Sequence, residues 1–227
     1  MGILRTLLFG LALGALLLVG GCVLLPSILH AVNPNVTYRI PDVGKTLYIT
    51  LDDGPSDATA KILKVLRKHG VQATFFVITD HIRPDVMDRI AAEGHQIGNH
   101  MRTSASIQKM TLDRFQADFL SADAALSAYP RVKLFRPPNG SVSIEQSAFV
   151  TAQGYQIVVG TIFPLDHWLE NETAVKTLAK LLITDGGIII LHDTRERGPR
   201  TAAVLDELIP YLKHKGYTFA LVPAKKI

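Results

Sequence analysis

From residue 45 onward, short runs of β-branched and aromatic residues alternate with longer amphipathic stretches that end at glycine. Residues 46–51 alternate as a strand, and residues 56–69 carry apolar side chains at helical spacing before Gly70. Strands that are separated by helices pair in parallel through right-handed crossovers, so this alternation restricts the chain to the α/β class. Seven such units predict a closed or nearly closed (β/α) barrel, a reduced relative of the eight-fold barrel, with an open doubly wound sheet as the alternative.

The remaining predicted elements follow the same two patterns. Further strands are expected at residues 73–78, 96–99, 132–136, 156–161, 187–191 and 217–222. Further helices are expected at residues 84–93, 111–128, 143–153, 172–183 and 200–215. Because the carboxyl ends of parallel strands share one face, polar residues at those ends are expected to form one site.

The amino-terminal segment differs from the rest, because no Lys, Arg, Asp or Glu lies between Arg5 and Arg39. Its apolar run over residues 6–25 is as long as a helix that spans a bilayer, about 20 residues. We expect residues 1–32 to be a membrane anchor or signal segment, residues 33–43 a tether, and residues 44–227 the folded domain. An uncleaved anchor, a lipoprotein signal that ends at Cys22, and a cleaved signal all fit this segment. Each places the domain outside the cytoplasm, so we expect an exported protein of the cell envelope, held at the membrane.

Charge and cysteine content exclude other classes of protein. The 24 basic and 20 acidic residues leave a small excess, and no basic run indicates a face for nucleic acid. Cys22 is the only cysteine, which excludes a disulfide scaffold and suits an oxidising compartment.

Two adjacent carboxylates, Asp52 and Asp53, follow the first predicted strand and precede Gly54-Pro55. The pair is also typical of a turn. Because like charges repel, a metal bound by one of them would leave the other free to act as a general base. His100, at the end of the third strand, is a candidate ligand, and a partner on the same face of a helical turn would stand at Ser104.

Three later strand ends carry further candidates. Arg136 precedes a stiff Pro-Pro loop and could hold the base carboxylate, with backbone N–H groups of that loop facing an oxyanion. Asp166 could tune a histidine, and Trp168 could form an aromatic wall for a sugar or acyl group. His192, at the end of the most apolar strand, is a candidate general acid.

In this order the motifs resemble one family, the polysaccharide deacetylases with a NodB-like domain, carbohydrate esterase family four. The motifs are Thr50-Leu51-Asp52-Asp53-Gly54-Pro55, Gly98-Asn99-His100, Arg136-Pro137-Pro138-Asn139-Gly140, Asp166 to Trp168, and Ile190-Leu191-His192-Asp193. The resemblance spans about residues 44 to 222. It implies a distorted seven-stranded (β/α) barrel and a divalent metal, expected to be zinc. It also implies hydrolysis of N-acetyl groups on a glycan such as peptidoglycan, a chitin-like polymer or an exopolysaccharide.

The resemblance also implies a role for each matching residue. Asp52 corresponds to the general base, and Arg136 to the arginine that holds it. His192 corresponds to the general acid, and Asp166 to the aspartate that tunes this acid. Asp53 and His100 correspond to metal ligands. Pro138, Asn139, Trp168 and Leu191 are expected to bind substrate.

The chain departs from the family pattern at the metal site. Ser104 stands where the second metal histidine is usual, which predicts a weakly bound ion, because a serine hydroxyl is a poor zinc ligand. His167, inserted between Asp166 and Trp168, is an alternative source of the missing imidazole. Two other functions stay open: a glycan-binding relative with weakened catalysis, and an amidase that acts on other substrates.

Overall fold

Eight strands and six helices form the part of the chain that the computed structural model describes, residues 33–41 and 43–224. The strands are β1 Val36–Thr37, β2 Thr46–Asp52, β3 Thr74–Val77, β4 Gln96–Asn99, β5 Leu134–Phe135, β6 Gln156–Val158, β7 Ile188–His192 and β8 Thr218–Ala220. The helices are α1 Thr59–Lys68, α2 Pro84–Ala92, α3 Leu112–Leu126, α4 Ile144–Ala152, α5 Glu172–Leu182 and α6 Gly198–His214. Each predicted strand and helix is present, with ends that shift by a few residues.

The strands pair in parallel in the order β1-β6-β5-β4-β3-β2-β7, while β8 pairs with the first half of β2. Beyond the end of β6, Ile162 forms a parallel bridge to Ile189 of β7. This bridge joins the two sides of the sheet, since β7 already pairs with β2. The predicted distorted (β/α) barrel is therefore confirmed.

Side chains alternate between the two faces of β2, and this alternation determines which of them point toward the candidate site. Leu47, Ile49 and Leu51 pack against the helices, in a cluster that includes residues of α1 and α6. The alternate positions face the barrel interior, where Tyr48 is packed with Phe76 of β3 and other strand residues. Asp52 has the same parity as Tyr48, so the carboxylate at the end of the strand is directed to the top of the barrel rather than to the helices.

The expected tether over residues 33–43 is not separate from the domain. Val36 is buried and pairs with Ile157 of β6, and Arg39 forms an antiparallel bridge to Gly187. Although this segment contains several polar residues, individual apolar side chains such as Val36 pack against the barrel. The packed domain therefore includes residues before position 44.

The predicted membrane segment, residues 1–32, lies outside the described residues. Among those that are described, we find no helix with both the length and the apolar content needed to cross a bilayer.

A buried carboxyl group ties β7 to the loop before α1. Ser56 Oγ donates to Asp193 Oδ1 at 2.8 Å, and Thr59 Oγ1 lies 2.6 Å from Asp193 Oδ2. Thr59 Oγ1 also lies 2.9 Å from the carbonyl oxygen of Ser56, yet a hydroxyl has a single proton to donate. Thr59 Oγ1 can therefore donate to only one of these two acceptors at a time, Asp193 or the carbonyl of Ser56. Burial raises the pKa of Asp193 to about 6, against the hydrogen bonds from Thr59 and Ser56.

This arrangement predicts a stability that falls with rising pH. The folded-state pKa of Asp193 lies above the ordinary value of 3.8, so the folded chain binds the extra proton between about pH 4 and about pH 6. Asp193→Asn keeps the size of the side chain and an acceptor oxygen without the titration. Its free energy of unfolding, relative to the native sequence, should rise by up to about 3 kcal/mol over this window. Urea unfolding at about pH 4.5 and about pH 7 measures the difference.

The matched control is Asp88→Asn on the exposed face of α2, which should show no such trend. A difference between Asp193→Asn and the native sequence that stays constant with pH would show that Asp193 is ionised throughout.

Candidate active site

A buried ion pair joins the ends of β2 and β5. Arg136, directly after β5, donates from Nη1 to Asp52 Oδ1 at 2.7 Å and to Thr50 Oγ1 at 2.6 Å. Its Nε donates to the carbonyl oxygen of Val158 at 3.1 Å, and its guanidinium lies 4.2 Å above the ring of Phe76. Arg136 is only 1% exposed, so the carboxylate of Asp52 is held in one orientation.

The backbone of Arg136 also orients His100. The carbonyl oxygen of Arg136 accepts a hydrogen bond from His100 Nδ1 at 2.7 Å. A carbonyl can only accept, so Nδ1 carries a proton and Nε2 is the nitrogen that faces Asp53. Nε2 lies 3.5 Å from Asp53 Oδ1. This is the arrangement of a metal-ligating histidine whose other nitrogen is fixed by a backbone carbonyl.

Asp53 stays ionised although it is largely buried. Burial by itself would raise the pKa of Asp53, but its contact with His100 and the positive charges of His100, His192 and Arg197 lower the pKa to about 2. Arg197 Nη1 lies 3.7 Å from Asp53 Oδ2. Each carboxylate oxygen of Asp53 therefore faces a nitrogen.

His192 and Asp166 form a second hydrogen-bonded pair on the same rim. Asp166 Oδ1 lies 2.8 Å from His192 Nδ1, and Asp166 Oδ2 accepts from the backbone N–H of His192 at 2.9 Å. Burial would lower the pKa of His192, but the hydrogen bond and charge of Asp166, with the charges of Asp52 and Asp53, raise it. Asp52 and His192 are register partners of β2 and β7, so the two pairs meet at one point of the barrel.

Backbone strain is concentrated at this site. Among the described residues, the non-glycine positions with left-handed φ are Asp53, Met101, Asn139 and Leu165. Each is a candidate site residue or the direct neighbour of one. A side chain in this conformation costs free energy, and such residues persist where the surrounding structure holds them for function.

Asp53 and His100 fit a divalent ion as two ligands, one carboxylate oxygen and one oriented imidazole nitrogen. Within residues 33–41 and 43–224, no group of three His, Cys, Asp or Glu side chains comes together to hold an ion. The structure therefore does not bring His167 in as a third ligand.

The expectation of a helical turn from His100 to Ser104 is wrong. Met101 has a φ of 73°, which directs the chain away from a helix directly after His100, and Ser104 is exposed in an irregular segment. This segment is bound instead to the turn at Thr79–His81, where Thr79 N–H donates to the carbonyl oxygen of Met101.

The four expected substrate contacts divide into two groups. Pro138 is buried and Asn139 is exposed in the loop after Arg136, and Trp168 is 72% exposed at the rim. Leu191 is 0% exposed and packs in the cluster between the barrel and the helices. It has the opposite parity to His192, so its side chain points away from the site, and its expected role in substrate binding is wrong.

Three functional candidates were missed by the sequence interpretation. Thr50 could have been found, because it precedes Asp52 by two residues in a strand and so shares its face. Phe163 stacks on the ring of His167 with centroids 4.9 Å apart, and His167 lies 5.7 Å from the ring of His192. Phe163 and Arg197 lie in connections between regular elements, where no periodicity indicates the direction of a side chain.

The sequence matches the family described as polysaccharide deacetylase over residues 39–158, more than half of the chain. The chain belongs to the polysaccharide deacetylase family. The predicted hydrolase class and metal-dependent N-deacetylation of a glycan are confirmed with it.

Individual relatives agree with this membership. A peptidoglycan-N-acetylglucosamine deacetylase of Bacillus cereus is 32% identical over 197 residues, which cover 82% of this chain and 91% of the relative. A second relative of that name from B. cereus is 33% identical over 183 residues, 78% of this chain and 66% of the relative. Among solved structures, a peptidoglycan N-acetylglucosamine deacetylase in complex with 4-naphthalen-1-yl-N-oxidanyl-benzamide superposes with a TM-score of 0.80 at 28% identity, covering 83% of this chain and 91% of that one.

The buried ion pair generates a stability prediction for this deacetylase. Arg136→Met leaves the carboxylate of Asp52 buried without a counter-charge, which should lower the free energy of unfolding by about 3–5 kcal/mol. The double variant Asp52→Leu/Arg136→Met removes both charges and should recover part of that loss. Urea unfolding of both variants checks this, and a double variant no more stable than Arg136→Met would contradict it.

Proposed function

We propose that this deacetylase removes the N-acetyl group from N-acetylglucosamine residues of peptidoglycan. The observation that carries the proposal is the juxtaposition of two oriented pairs, Asp52 with Arg136 and His192 with Asp166, at register partners of β2 and β7. The choice of peptidoglycan is supported by the printed names of the relatives from B. cereus.

Asp52 acts as the general base in this proposal. A base must accept a proton from water in a fixed geometry, and Arg136 and the strand end hold this carboxylate still. Arg136 Nη1 engages only Oδ1, so Oδ2 of Asp52 is available to take up the proton. Asp52 is the last residue of β2, so this oxygen lies at the top of the barrel.

His192 acts as the general acid. Amide hydrolysis needs a proton on the leaving nitrogen, and Asp166 stabilises the imidazolium that provides it. Because His192 Nδ1 faces Asp166, the other ring nitrogen, Nε2, delivers the proton. The acid and the base then act from neighbouring strands on one substrate bond.

Asp53 and His100 hold the divalent ion, which we propose to be zinc. When bound, it supplies Lewis-acid activation of water and of the acetyl carbonyl. Asn139 in its left-handed conformation shapes the loop after Arg136, and Pro138 stiffens it, so that this loop borders the acetyl group. Trp168, exposed beside His167, offers a flat apolar face to a sugar ring.

We also propose that the protein is exported and held at the membrane by residues 1–32, where its polymer substrate lies. The charge-free apolar run before Arg39 supports this proposal. Fractionation of native cells tests it, with Cys22→Ser separating a lipoprotein, which this change would release, from a transmembrane anchor, which it would not.

Asp52→Asn tests the assigned function. The amide keeps the size of the side chain but cannot accept a proton, so acetate release from N-acetylglucosamine oligomers and from peptidoglycan should fall by roughly 10²–10⁴. Zinc content should be retained, because Asp53 and His100 are unchanged. The loss of the counter-charge to buried Arg136 should lower the free energy of unfolding, so urea unfolding is used to confirm that the variant assayed is folded.

The control is Asp88→Asn, the same substitution on an exposed helix face, which should leave acetate release unchanged. No acetate release from either substrate by the zinc-loaded native protein would refute the proposed function. It would favour a glycan-binding relative if oligomers still bind, and an amidase of other substrates if they do not.

The acid role generates a prediction about pH. Asp166 raises the pKa of His192 by a hydrogen bond and by its charge, so Asp166→Asn should lower that pKa. The imidazolium is then lost at lower pH, and the limb of the activity profile that falls with rising pH should move to lower pH. Profiles of acetate release against pH measure this shift. An unmoved limb would mean that another group provides the proton.

A further inference from the structure

Two nitrogen-bearing side chains already face the carboxylate that is assigned to the metal. Asp53 Oδ1 faces His100 Nε2 at 3.5 Å, and Asp53 Oδ2 faces Arg197 Nη1 at 3.7 Å. A bound divalent cation and a guanidinium both need the negative charge of this carboxylate, and they repel each other. An arginine so close to a metal ligand therefore bears directly on how strongly the ion is held.

Arg197 is free to leave Asp53, in contrast to Arg136. The guanidinium of Arg136 is buried and donates three hydrogen bonds, so it cannot move without loss of the core. Arg197 precedes α6 with its side chain 33% exposed, and 3.7 Å is too long for a hydrogen bond to Asp53. Its guanidinium is a partly exposed positive charge that can rotate toward solvent.

The ligand set offers little to offset that competition. In the part of the chain that the structure describes, no third His, Cys, Asp or Glu joins Asp53 and His100. The segment after His100 is also held elsewhere, because Arg102 Nη1 pairs with Asp80 Oδ2 at 2.9 Å and the backbone N–H of Asp80 donates to the carbonyl oxygen of Arg102. Water would have to complete the coordination.

We propose that the divalent ion is held by two protein side chains, Asp53 and His100, and that Arg197 competes with it for Asp53. Arg197 thereby sets the metal affinity of this deacetylase, and the ion exchanges readily with solution. The inference rests on the metal site of the proposed function but concerns binding of the ion rather than the reaction.

Zinc binding to the full chain, measured by equilibrium dialysis with zinc alone, tests the proposal. Arg197→Gln removes the competing charge and should bind zinc about tenfold more tightly, the order expected for loss of one partly exposed charge near a divalent ion. Arg197→Lys keeps the charge and should stay close to the native affinity. The matched control is Arg195→Gln, an exposed arginine two residues away, which should also match the native protein.

Two further measurements test which residues bind the zinc and how firmly they hold it. Asp53→Asn and His100→Ala should each abolish this binding, and the native protein should lose its zinc on dialysis against a chelator. Unchanged or weaker binding by Arg197→Gln would overturn the competition, as would an equal gain in Arg197→Lys. Retention of stoichiometric zinc through the chelator would overturn the two-ligand site.

The outcome is independent of acetate release. If the affinities follow this pattern but the zinc-loaded protein releases no acetate, the proposed function fails while the inference stands. If acetate is released but Arg197→Gln binds zinc as the native protein does, the inference fails alone.

Discussion

The site depends on one buried arginine. A guanidinium that is removed from water must have its charge matched and its N–H groups paired, or the fold loses several kcal/mol. The charge of Arg136 is matched by Asp52, and two of its three nitrogens are paired: Nη1 with Asp52 and Thr50 of β2, and Nε with the carbonyl oxygen of Val158 at the end of β6. Nη2 is buried without a hydrogen-bond partner among the described residues. The carbonyl oxygen of Arg136 accepts from His100. Desolvation lowers the pKa of Arg136, and the charge and hydrogen bond of Asp52 oppose this effect. The contacts of this arginine therefore orient both Asp52, which we propose as the base, and His100, which we propose as a metal ligand.

Two adjacent aspartates acquire different surroundings because the strand ends between them. Asp52 is the last residue of β2 and keeps strand geometry, so it points inward to Arg136. Asp53 has a φ of 69°, which turns its carboxylate toward His100 and Arg197. Adjacent carboxylates would repel each other in one environment, and here separate cations stabilise each of them. The turn thus provides one fixed carboxylate and one that is accessible to a cation.

Much of this could be predicted from the sequence, because parallel strands bring their carboxyl ends together. That rule correctly placed Asp52, His100, Arg136 and His192 on one rim. Prediction failed where side-chain direction depends on local backbone rather than on periodicity. The turn after His100 was assumed to be helical, but Met101 adopts a left-handed conformation. The error at Leu191 was different, because the alternation of the strand already places it on the opposite face to His192. The strand at Val36–Thr37 is two residues long, too short to show any pattern.

The energetics of the two pairs distinguish an enzyme from a binding module. Burying Arg136 with Asp52 is at best neutral for stability compared with apolar side chains of similar size, so stability alone gives no reason for it. Asp166, buried and directed at His192, carries the same cost. A protein that only bound glycan would need polar groups at the surface, not a base and an acid oriented from beneath. The incomplete ligand set around Asp53 therefore affects how the proposed ion is retained, whereas Asp52 and His192, which we propose to move protons, are each oriented by a buried partner.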